Sequence, residues 1–521
     1  MKKMSSNYRC LLRRVIPTRL SLNVHPFTTT RRTIETASTS TKPPVINGLF
    51  KYAQLNNKSY IKINGPDSVK FINGLVSSKL QESFVKKNLT TIDASKTNGE
   101  FSDTSQQIVP VSKFDIAKGN WGLYHESGEH GPYVARFGQY TAFLDGKGKL
   151  ITDSILYPVP LTLNNVHATK YPEYLIEVDK QNMAYTMMRT LEGHKILSKV
   201  KIKTLKEDEL RTWDVSIKFE NIPHTEENPW IDNILRPMSA MKSPEDALAF
   251  TNTVVGTLFE GFETNIKGLY IERRTDEILK KDGSAPLMFR ILTDNTVDNV
   301  STIFNSRAFP FEFTISKQDE SVFRRSRLSH GLLDGTTDVK PTTVLPLELN
   351  FDYFPDVVSS NKGCYIGQEL TARTFSTGIL RKRIVPVKIH NLTALQVYVN
   401  KQDPDSDKYL EVGMKTNGNN ETLAKDETKT QMAPNPFGSG KIVRKRNRPV
   451  GSLIAFEGDV GVVMLRTEHF NKLFPQDRLN LGKPTLFIDI GGESPETNVI
   501  IEAQEPFWLQ DWFKANSPKL I

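Results

Sequence analysis

One stretch of this 521-residue chain decides how the rest is interpreted: Lys362-Gly363-Cys364-Tyr365-Ile366-Gly367-Gln368-Glu369. A thiol stands directly after one glycine and three residues before another, and a lysine precedes it by two residues. Because glycine has no side chain, Gly363 and Gly367 would let the backbone approach a ligand closely. The pattern therefore indicates that Cys364 belongs to a functional site.

The residues after this thiol predict a helix that begins near Ile366. Such a helix would pair Glu369 with Arg373 one turn later and would place Cys364 at its positive end. Nearby cations would add to that field and favour the thiolate, which is the form that reacts and binds metal. These cations are Lys362, Arg373, Arg381, Lys382 and Arg383.

Cysteine is scarce in this chain, since Cys10 and Cys364 are the two that it has. Cys10 lies in the first 40 residues, so a mature chain without them would form no internal disulfide, as suits a reducing compartment. An isolated cysteine is commonly a small buried apolar residue, and this alternative stays open for Cys364. A cysteine hydrolase would need a positioned histidine base, but His330 and His390, the histidines nearest in sequence, lie in no recognisable motif.

Residues 1–40 hold eight basic side chains and one acidic side chain, Glu35, and account for most of the net charge of +9. Residues 9–16 form an amphipathic helical pattern that Pro17 ends. We interpret 1–40 as a mitochondrial presequence and expect a matrix protein, with a disordered basic tail as the alternative. The remaining residues are nearly neutral, which argues against a nucleic-acid partner. No apolar run of about 18 residues occurs, so no membrane span is predicted.

The pattern along the chain is that of an α+β protein followed by a small β-barrel. Strands are predicted at 60–63 and 174–178, a helix at 180–192, and a hairpin at 140–144 and 150–156 around the Gly-containing turn 145–148. Residues 82–135 are interpreted as a long loop insertion. Short strands at 384–389, 450–454, 461–465 and 485–490 predict a barrel over 376–521, with a disordered insertion at 395–440.

The stretch 362–369 resembles the signature of the YgfZ-type branch of the aminomethyltransferase-like superfamily. Further matches to that branch lie at 61–67 with 71–74, 140–157, 345–350, 373–383 and 461–466. The resemblance implies two ferredoxin-like α+β subdomains of the aminomethyltransferase type over 46–375 and an attached barrel, around a central channel that in relatives binds tetrahydrofolate. The motif residues are Lys362, Gly363, Cys364, Tyr365, Gly367, Gln368, Glu369 and Arg373.

Mitochondrial members of that branch act late in iron–sulfur cluster assembly. The resemblance therefore implies A-type scaffold proteins as partners and apo [4Fe–4S] enzymes as clients, of the aconitase and the radical, lipoyl synthase types. A cluster needs about four ligands, mostly thiolates, and the mature chain offers one, while His125 and His130 lie in the predicted loop. The hypothesis is that Cys364 lends one thiolate to a transient cluster shared with a partner, or supports reductive cluster fusion, without enzymatic activity.

Asp153 is the candidate residue for a folate cavity. Aminomethyltransferases carry paired aspartates after this hairpin, but the matching positions here are Thr152 and Asp153, so one acid is missing. Asp153 alternates in phase with Ile151 and Ile155, so it would face a cavity where a pterin edge could donate hydrogen bonds; a surface or turn-capping aspartate is the alternative. The superfamily's Gly-Tyr-Thr-Gly-Glu segment is absent, and residues 269–274 resemble the Asp-Pro-Arg segment of the cluster-maturation branch with the Asp-Pro changed.

Two other functions stay open at this point. One is a folate-dependent aminomethyltransferase of the glycine-cleavage type, and the other is a tetrahydrofolate-binding module without cluster chemistry. The missing acid next to Asp153 and the cysteine-containing stretch 362–369 argue against the first.

Overall fold

The structure is a computed structural model. It describes residues 46–80, 123–125, 133–162, 171–180, 182–221, 244–281, 285–309, 311–359, 362–402, 408–415, 449–475, 484–490 and 498–516. The predicted presequence 1–40 lies outside these residues. Within them, no helix has the length and apolar character to cross a bilayer.

The described elements alternate between strands and short helices. The strands are β1 (Asn47–Leu55), β2 (Lys58–Asn64), β3 (Leu123–His125), β4 (Tyr133–Ala135), β5 (Gln139–Leu144), β6 (Leu150–Val159), β7 (Glu173–Asp179), β8 (Lys201–Thr204), β9 (Leu210–Glu220), β10 (Ile266–Ile271), β11 (Leu287–Asp294), β12 (Phe313–Lys317), β13 (Lys382–Ile389), β14 (Leu410–Lys415), β15 (Gly451–Glu457), β16 (Val460–Arg466), β17 (Thr485–Ile488) and β18 (Val499–Ala503). The helices are α1 (Ser68–Asn73), α2 (Asn182–His194), α3 (Pro244–Leu258), α4 (Asp276–Lys281), α5 (Glu320–Ser329), α6 (Gly335–Asp338), α7 (Gln368–Thr377), α8 (Leu392–Val399), α9 (Phe470–Leu473) and α10 (Leu509–Asn516).

The first sheet has the order β5-β6-β7-β2-β8 and is antiparallel throughout. It contains the predicted hairpin, in which β5 and β6 flank the turn at 145–148. Side chains on one face of β2 and β7 pack with apolar side chains of α1 and α2. The buried cluster that they form includes Ile61, Ile63, Phe71, Tyr174 and Met187. Burial of each such side chain contributes about 1.5–3 kcal/mol.

The second sheet has the order β10-β11-β9-β1-β12. Its β1 lies between two partners, since it pairs antiparallel with β9 and parallel with β12. Helix α3 closes one face of this sheet through an aromatic-rich core that includes Phe50, Trp213, Val255, Leu258 and Phe289.

A central apolar core joins the two sheets to the barrel. Tyr157 and Leu175 reach it from the first sheet, Leu292 from the second, and Ile384 and Met464 from the barrel, and all five are buried. The three parts therefore share buried surface, and the segment 345–383 crosses from the sheets to the barrel along this core.

The C-terminal part is a closed six-stranded barrel with the order β13-β16-β15-β14-β17-β18. Val385, Val463 and Leu486 line its interior, and Trp508, which directly precedes α10, and Phe513 of α10 pack with them. The predicted class, α+β with a C-terminal β-barrel, is confirmed.

Two predicted insertions contain regular structure where the chain is described. Within 82–135, β3 and β4 form a two-stranded sheet. Within 395–440, the end of α8 extends into the region, and β14 follows as a barrel strand paired with β15 and β17. β14 escaped prediction because its buried run, Val412, Gly413 and Met414, is short and includes a glycine, and Glu411 and Lys415 beside it are charged. The remainder of both insertions lies outside the described residues.

Candidate functional site

Cys364 lies in the loop that precedes α7, and its side chain is exposed. The helix begins at Gln368 with Gly367 as its N-cap, close to the predicted start at Ile366. The predicted pair is present, since Arg373 donates to Glu369 at 3.0 Å. Because the two side chains are 67% and 88% exposed, this pair adds little to stability. The alternative of a buried cysteine is wrong.

Backbone carbonyls of the segment that follows α1 hold the thiol loop in place. The Lys362 ammonium donates to the carbonyl oxygens of Val76 at 2.5 Å and Ser78 at 2.6 Å. The Ile366 amide donates to the Gly74 carbonyl at 3.1 Å. The loop is thus fixed before and after Cys364, which is left open to solvent.

Three residues of the motif stabilise the turn into α7. The Tyr365 amide donates to Oε1 of Gln368 at 3.0 Å, and the Lys362 ammonium lies 4.7 Å from the centre of the Tyr365 ring, within the range of a cation–π contact. Lys362, Tyr365 and Gln368 therefore act on the position of the loop.

The two motif glycines differ in their surroundings. Gly367 has φ +75°, and a Cβ there would overlap the carbonyl oxygen of Asp145 and come within 3.1 Å of the Gly148 Cα. The close approach at Gly367 is thus to the chain's own β5–β6 turn, which corrects the expectation that it approaches a ligand. A Cβ at Gly363 would meet nothing within 4 Å, so close approach to a ligand stays a prediction there.

Three of the five cations expected around the thiol bind other groups. Lys362 binds the carbonyls described above, Arg373 binds Glu369, and Arg383 is buried and donates to Asp352 at 2.6 Å. The side chains of Arg381 and Lys382 are exposed and make no ion pair with another residue of the described segments. Of the five cations, Arg381 and Lys382 are thus the exposed ones that form no ion pair among the described residues.

No group of three or more His, Cys, Asp or Glu side chains within the described parts of the chain is arranged to hold a metal ion. Cys364 consequently offers a single ligand from this surface, and the loop contains no neighbouring thiol. A metal cluster bound here would need its other ligands from elsewhere.

Asp153 lies on β6 and is 5% exposed. Tyr140 donates its hydroxyl to Oδ2, and the Gly335 amide donates to Oδ1 at 2.8 Å. Burial, and next the neighbouring Asp334 carboxylate, raise the pKa of Asp153 to about 7. Both carboxylate oxygens already accept hydrogen bonds from the chain itself, and the surface or turn-capping alternative is wrong.

A buried ionic cluster lies beside Asp153, between the two sheets. The Arg290 guanidinium donates to Asp214 at 2.8 Å, to Glu177 at 2.6 Å and to Asp334 at 2.8 Å. Although burial opposes ionisation, the Arg290 and Lys58 cations hold the pKa of Asp334 well below its usual range. We call this set the central ionic cluster.

Two further cations complete the central ionic cluster. Lys58 pairs with Asp179 at 2.8 Å, and Arg327 of α5 pairs with Asp214 at 2.6 Å. Sequence reasoning missed the cluster, because its members come from β2, β7, β9, β11, α5 and the loop before α6. No spacing pattern in the sequence brings these elements together.

A small cavity adjoins the central ionic cluster and is lined by Tyr270, Glu272, Arg274, Arg290 and Arg327, among others. Its interior space of about 20 Å³ has room for one or two water molecules. Arg274 fills the neighbouring space, since its guanidinium lies 3.9 Å from the centre of the Tyr140 ring and donates to Glu272 at 2.6 Å. At this cavity the residues present do not fit a pterin, so the folate cavity at Asp153 remains a sequence-based prediction.

The family model of the CAF17 C-terminal beta-barrel domain matches residues 381–510. This range coincides with the closed barrel, from the residue before β13 into α10. The match therefore supports the fold of the C-terminal part of the chain.

Curated relatives match most of the chain. The iron–sulfur cluster assembly factor IBA57, mitochondrial, of Saccharomyces cerevisiae is 44% identical over 485 residues, which cover 92% of this chain and 93% of the relative. The homologue of Candida glabrata is 42% identical and covers 89% and 92% of the two chains. That of Kluyveromyces lactis is 44% identical and covers 81% and 86%.

Among solved structures, the chain is similar to glycine cleavage system aminomethyltransferase T from Bartonella henselae. The TM-score is 0.42 and the identity 9%, with 88% of this chain and 86% of that chain covered. We draw no conclusion about activity or ligands from this likeness.

Proposed function

Because the chain belongs to the IBA57 family of mitochondrial iron–sulfur cluster assembly factors, we propose that it acts late in [4Fe–4S] cluster maturation, by lending the Cys364 thiolate to a cluster shared with a partner. The cluster is cargo in this proposal, and the chain is not an enzyme. The setting is the mitochondrial matrix, in keeping with the predicted presequence at 1–40.

The exposure of Cys364 is the observation that carries the proposal. A cluster takes about four ligands, and the described residues provide this one exposed thiol but no group of three or more His, Cys, Asp or Glu side chains arranged to hold a metal. An exposed single ligand on a fixed loop suits a shared cluster, because a partner can approach the sulfur and supply the remaining ligands.

The partner and the clients follow from the resemblance of residues 362–369 to the cluster-maturation branch. We propose an A-type scaffold protein as the partner. The clients are apo enzymes of the aconitase type and of the radical, lipoyl synthase type. The name of the relatives supports cluster assembly in general, and the partner and clients are the finer part of the proposal.

A first experiment replaces Cys364 by Ser in cells that lack the native protein. We expect aconitase activity and protein lipoylation to fall to the level of the deletion, because serine is a poor ligand for iron in a thiolate site. Cys10→Ser, the other cysteine of the chain, is the matched control and should restore both readouts. Full activity of the Cys364→Ser strain would refute the proposal.

A second experiment measures the shared cluster directly. The chain is copurified anaerobically with a cluster-loaded A-type scaffold protein, and the visible absorption of the complex is compared for wild type and Cys364→Ser. We expect a charge-transfer spectrum that changes when the Cys364 sulfur is absent, while circular dichroism stays the same. Identical spectra would show that Cys364 is not a ligand.

Calorimetry tests whether the chain binds tetrahydrofolate. An assay with an aminomethyl-lipoyl substrate tests the transferase function. We expect no methylene transfer, because Asp153 is hydrogen-bonded to its own chain and the second acid of the aminomethyltransferase pair is a threonine. Turnover of that substrate would show that the chain is an enzyme and would contradict the proposed role as an assembly factor.

A further inference from the structure

Helix α7 has a large exposed surface directly after the thiol loop. Of its ten residues, Thr371 alone is buried. Phe375 is 52% exposed, and Ile379, just beyond the helix, is 69% exposed. Large apolar side chains that stay in water at an ordered helix often mark a protein interface.

The geometry of this helix is well defined. The Leu370 side chain lies against Gly148 of the β5–β6 turn. At the other end Gly378 has φ +65°, and its amide donates to the Thr374 carbonyl at 3.0 Å, as in a left-handed helix cap. Phe375 is therefore presented on a helix that is anchored at both ends, and Ile379 directly follows its cap, which limits the entropy lost when a partner binds.

The surroundings of these apolar residues are strongly basic. Residues 362–383 contain five basic side chains and one acidic side chain, Glu369. Arg373, Arg381 and Lys382 are exposed, and the last two have no ion-pair partner among the described residues. A cluster held by four thiolates carries net negative charge. A partner protein that presents such a cluster is therefore electrostatically complementary to this basic surface.

We propose that Phe375, Ile379, Arg381 and Lys382 form a docking surface for the protein that supplies the remaining cluster ligands. That partner has an acidic face with an apolar recess for Phe375 and Ile379. This inference rests on the proposed function of Cys364. Phe375 lies about 10 Å along the helix axis from Gln368, so a partner seated on this face also reaches the thiol loop.

The chain offers a matched control surface. Ile196 and Leu197 lie in the loop before β8 and are 86% and 93% exposed. That loop leads into one edge of the first sheet, whereas α7 contacts the turn at the opposite edge, four strand spacings or about 19 Å away. No cysteine of the described residues lies near that loop in sequence.

The experiment measures binding of a reconstituted [2Fe–2S] A-type scaffold protein to the full chain by anaerobic calorimetry. We compare a Phe375→Ser/Ile379→Ser double variant with an Ile196→Ser/Leu197→Ser control. We expect at least about a tenfold loss of affinity in the first, as for residues at the centre of an interface, and none in the control. Equal unfolding temperatures show that both variants are folded.

A charge variant, Arg381→Glu/Lys382→Glu, tests the polar part of the surface. We expect slower association at low salt and a difference from wild type that shrinks as the salt concentration rises. The double variant Phe375→Ser/Ile379→Ser and the charge variant are the two docking-surface variants. If both bind like wild type while Cys364→Ser loses the cluster spectrum, the proposal of a docking surface is wrong and the proposed function stands. If the docking-surface variants lose affinity while Cys364→Ser keeps full cellular activity, the docking surface stands and the proposed role of Cys364 is wrong.

Discussion

The thiol loop with α7 and the central ionic cluster are both rich in charged residues, yet they are organised in opposite ways. In the central ionic cluster each charged side chain is at most 10% exposed and bound to groups of its own chain, as Arg290 is to Asp214, Glu177 and Asp334. Around α7, by contrast, Arg381, Lys382 and Cys364 face solvent. The comparison separates charge that holds the fold together from charge that is open to a partner.

The largest effect on stability is expected at Arg290. Arg290→Met removes the cation and leaves three buried carboxylates without it, which should lower the free energy of unfolding by about 3–5 kcal/mol. Chemical denaturation measures this change. Arg373→Met, at an exposed ion pair on α7, is the control and should leave the midpoint unchanged. Equal effects of the two variants would contradict the distinction between the two regions.

The next largest effect is expected within the thiol loop itself. Gly367→Ala places a Cβ in left-handed backbone against the Asp145 carbonyl and should cost about 1–3 kcal/mol. Gly363→Ala has open space around it and should leave the midpoint of denaturation unchanged. Any functional loss in Gly363→Ala with unchanged stability would locate partner contact at that backbone. Destabilisation of similar size in both variants would mean that the loop is packed throughout.

The smallest effect concerns pH. The folded chain binds the Asp153 proton more tightly than the unfolded chain, because burial raises its pKa from 3.8 to about 7. The contribution of Asp153 to stability therefore falls as pH rises from about 4 to about 7 and is constant above that. Relative to Asp153→Asn, wild type should lose about 2 kcal/mol between pH 5 and pH 7, as measured by denaturation at each pH. A constant difference between the two would show that Asp153 is ionised throughout.

Much of the fold was predictable where local patterns are strong. The β5–β6 hairpin follows from two β-prone runs around a Gly-containing turn, and α7 follows from the Glu369–Arg373 spacing. The barrel strands β13, β15, β16 and β17 were predicted from short apolar runs. β14 and β18 were not: β14 has a weak local pattern that its pairing in the closed barrel compensates for, and β18 is a short run of five residues.

The candidate site was predictable in its residues but not in its contacts. Cys364 and its neighbours were identified from the stretch 362–369. That Lys362 binds carbonyls near α1, and that Gly367 packs on the β5–β6 turn, depend on contacts between residues more than 200 positions apart. The exposed pair Phe375 and Ile379 was also missed, although two large apolar residues in an otherwise polar and basic run could have been noticed.

The position of β1 has a consequence for how the chain acquires its fold. This strand is the first described element, but it lies inside its sheet, and its neighbours β9 and β12 come about 160 and 260 residues later. In a chain that crosses a membrane from its N-terminus, β1 therefore emerges long before β9 or β12 has crossed. Both edges of this strand stay unpaired until residue 220 has emerged, and the edge that β12 covers stays unpaired until residue 317 has emerged, which exposes the strand to aggregation. We expect such a chain to need a chaperone during import, and to need it most for its first described strand.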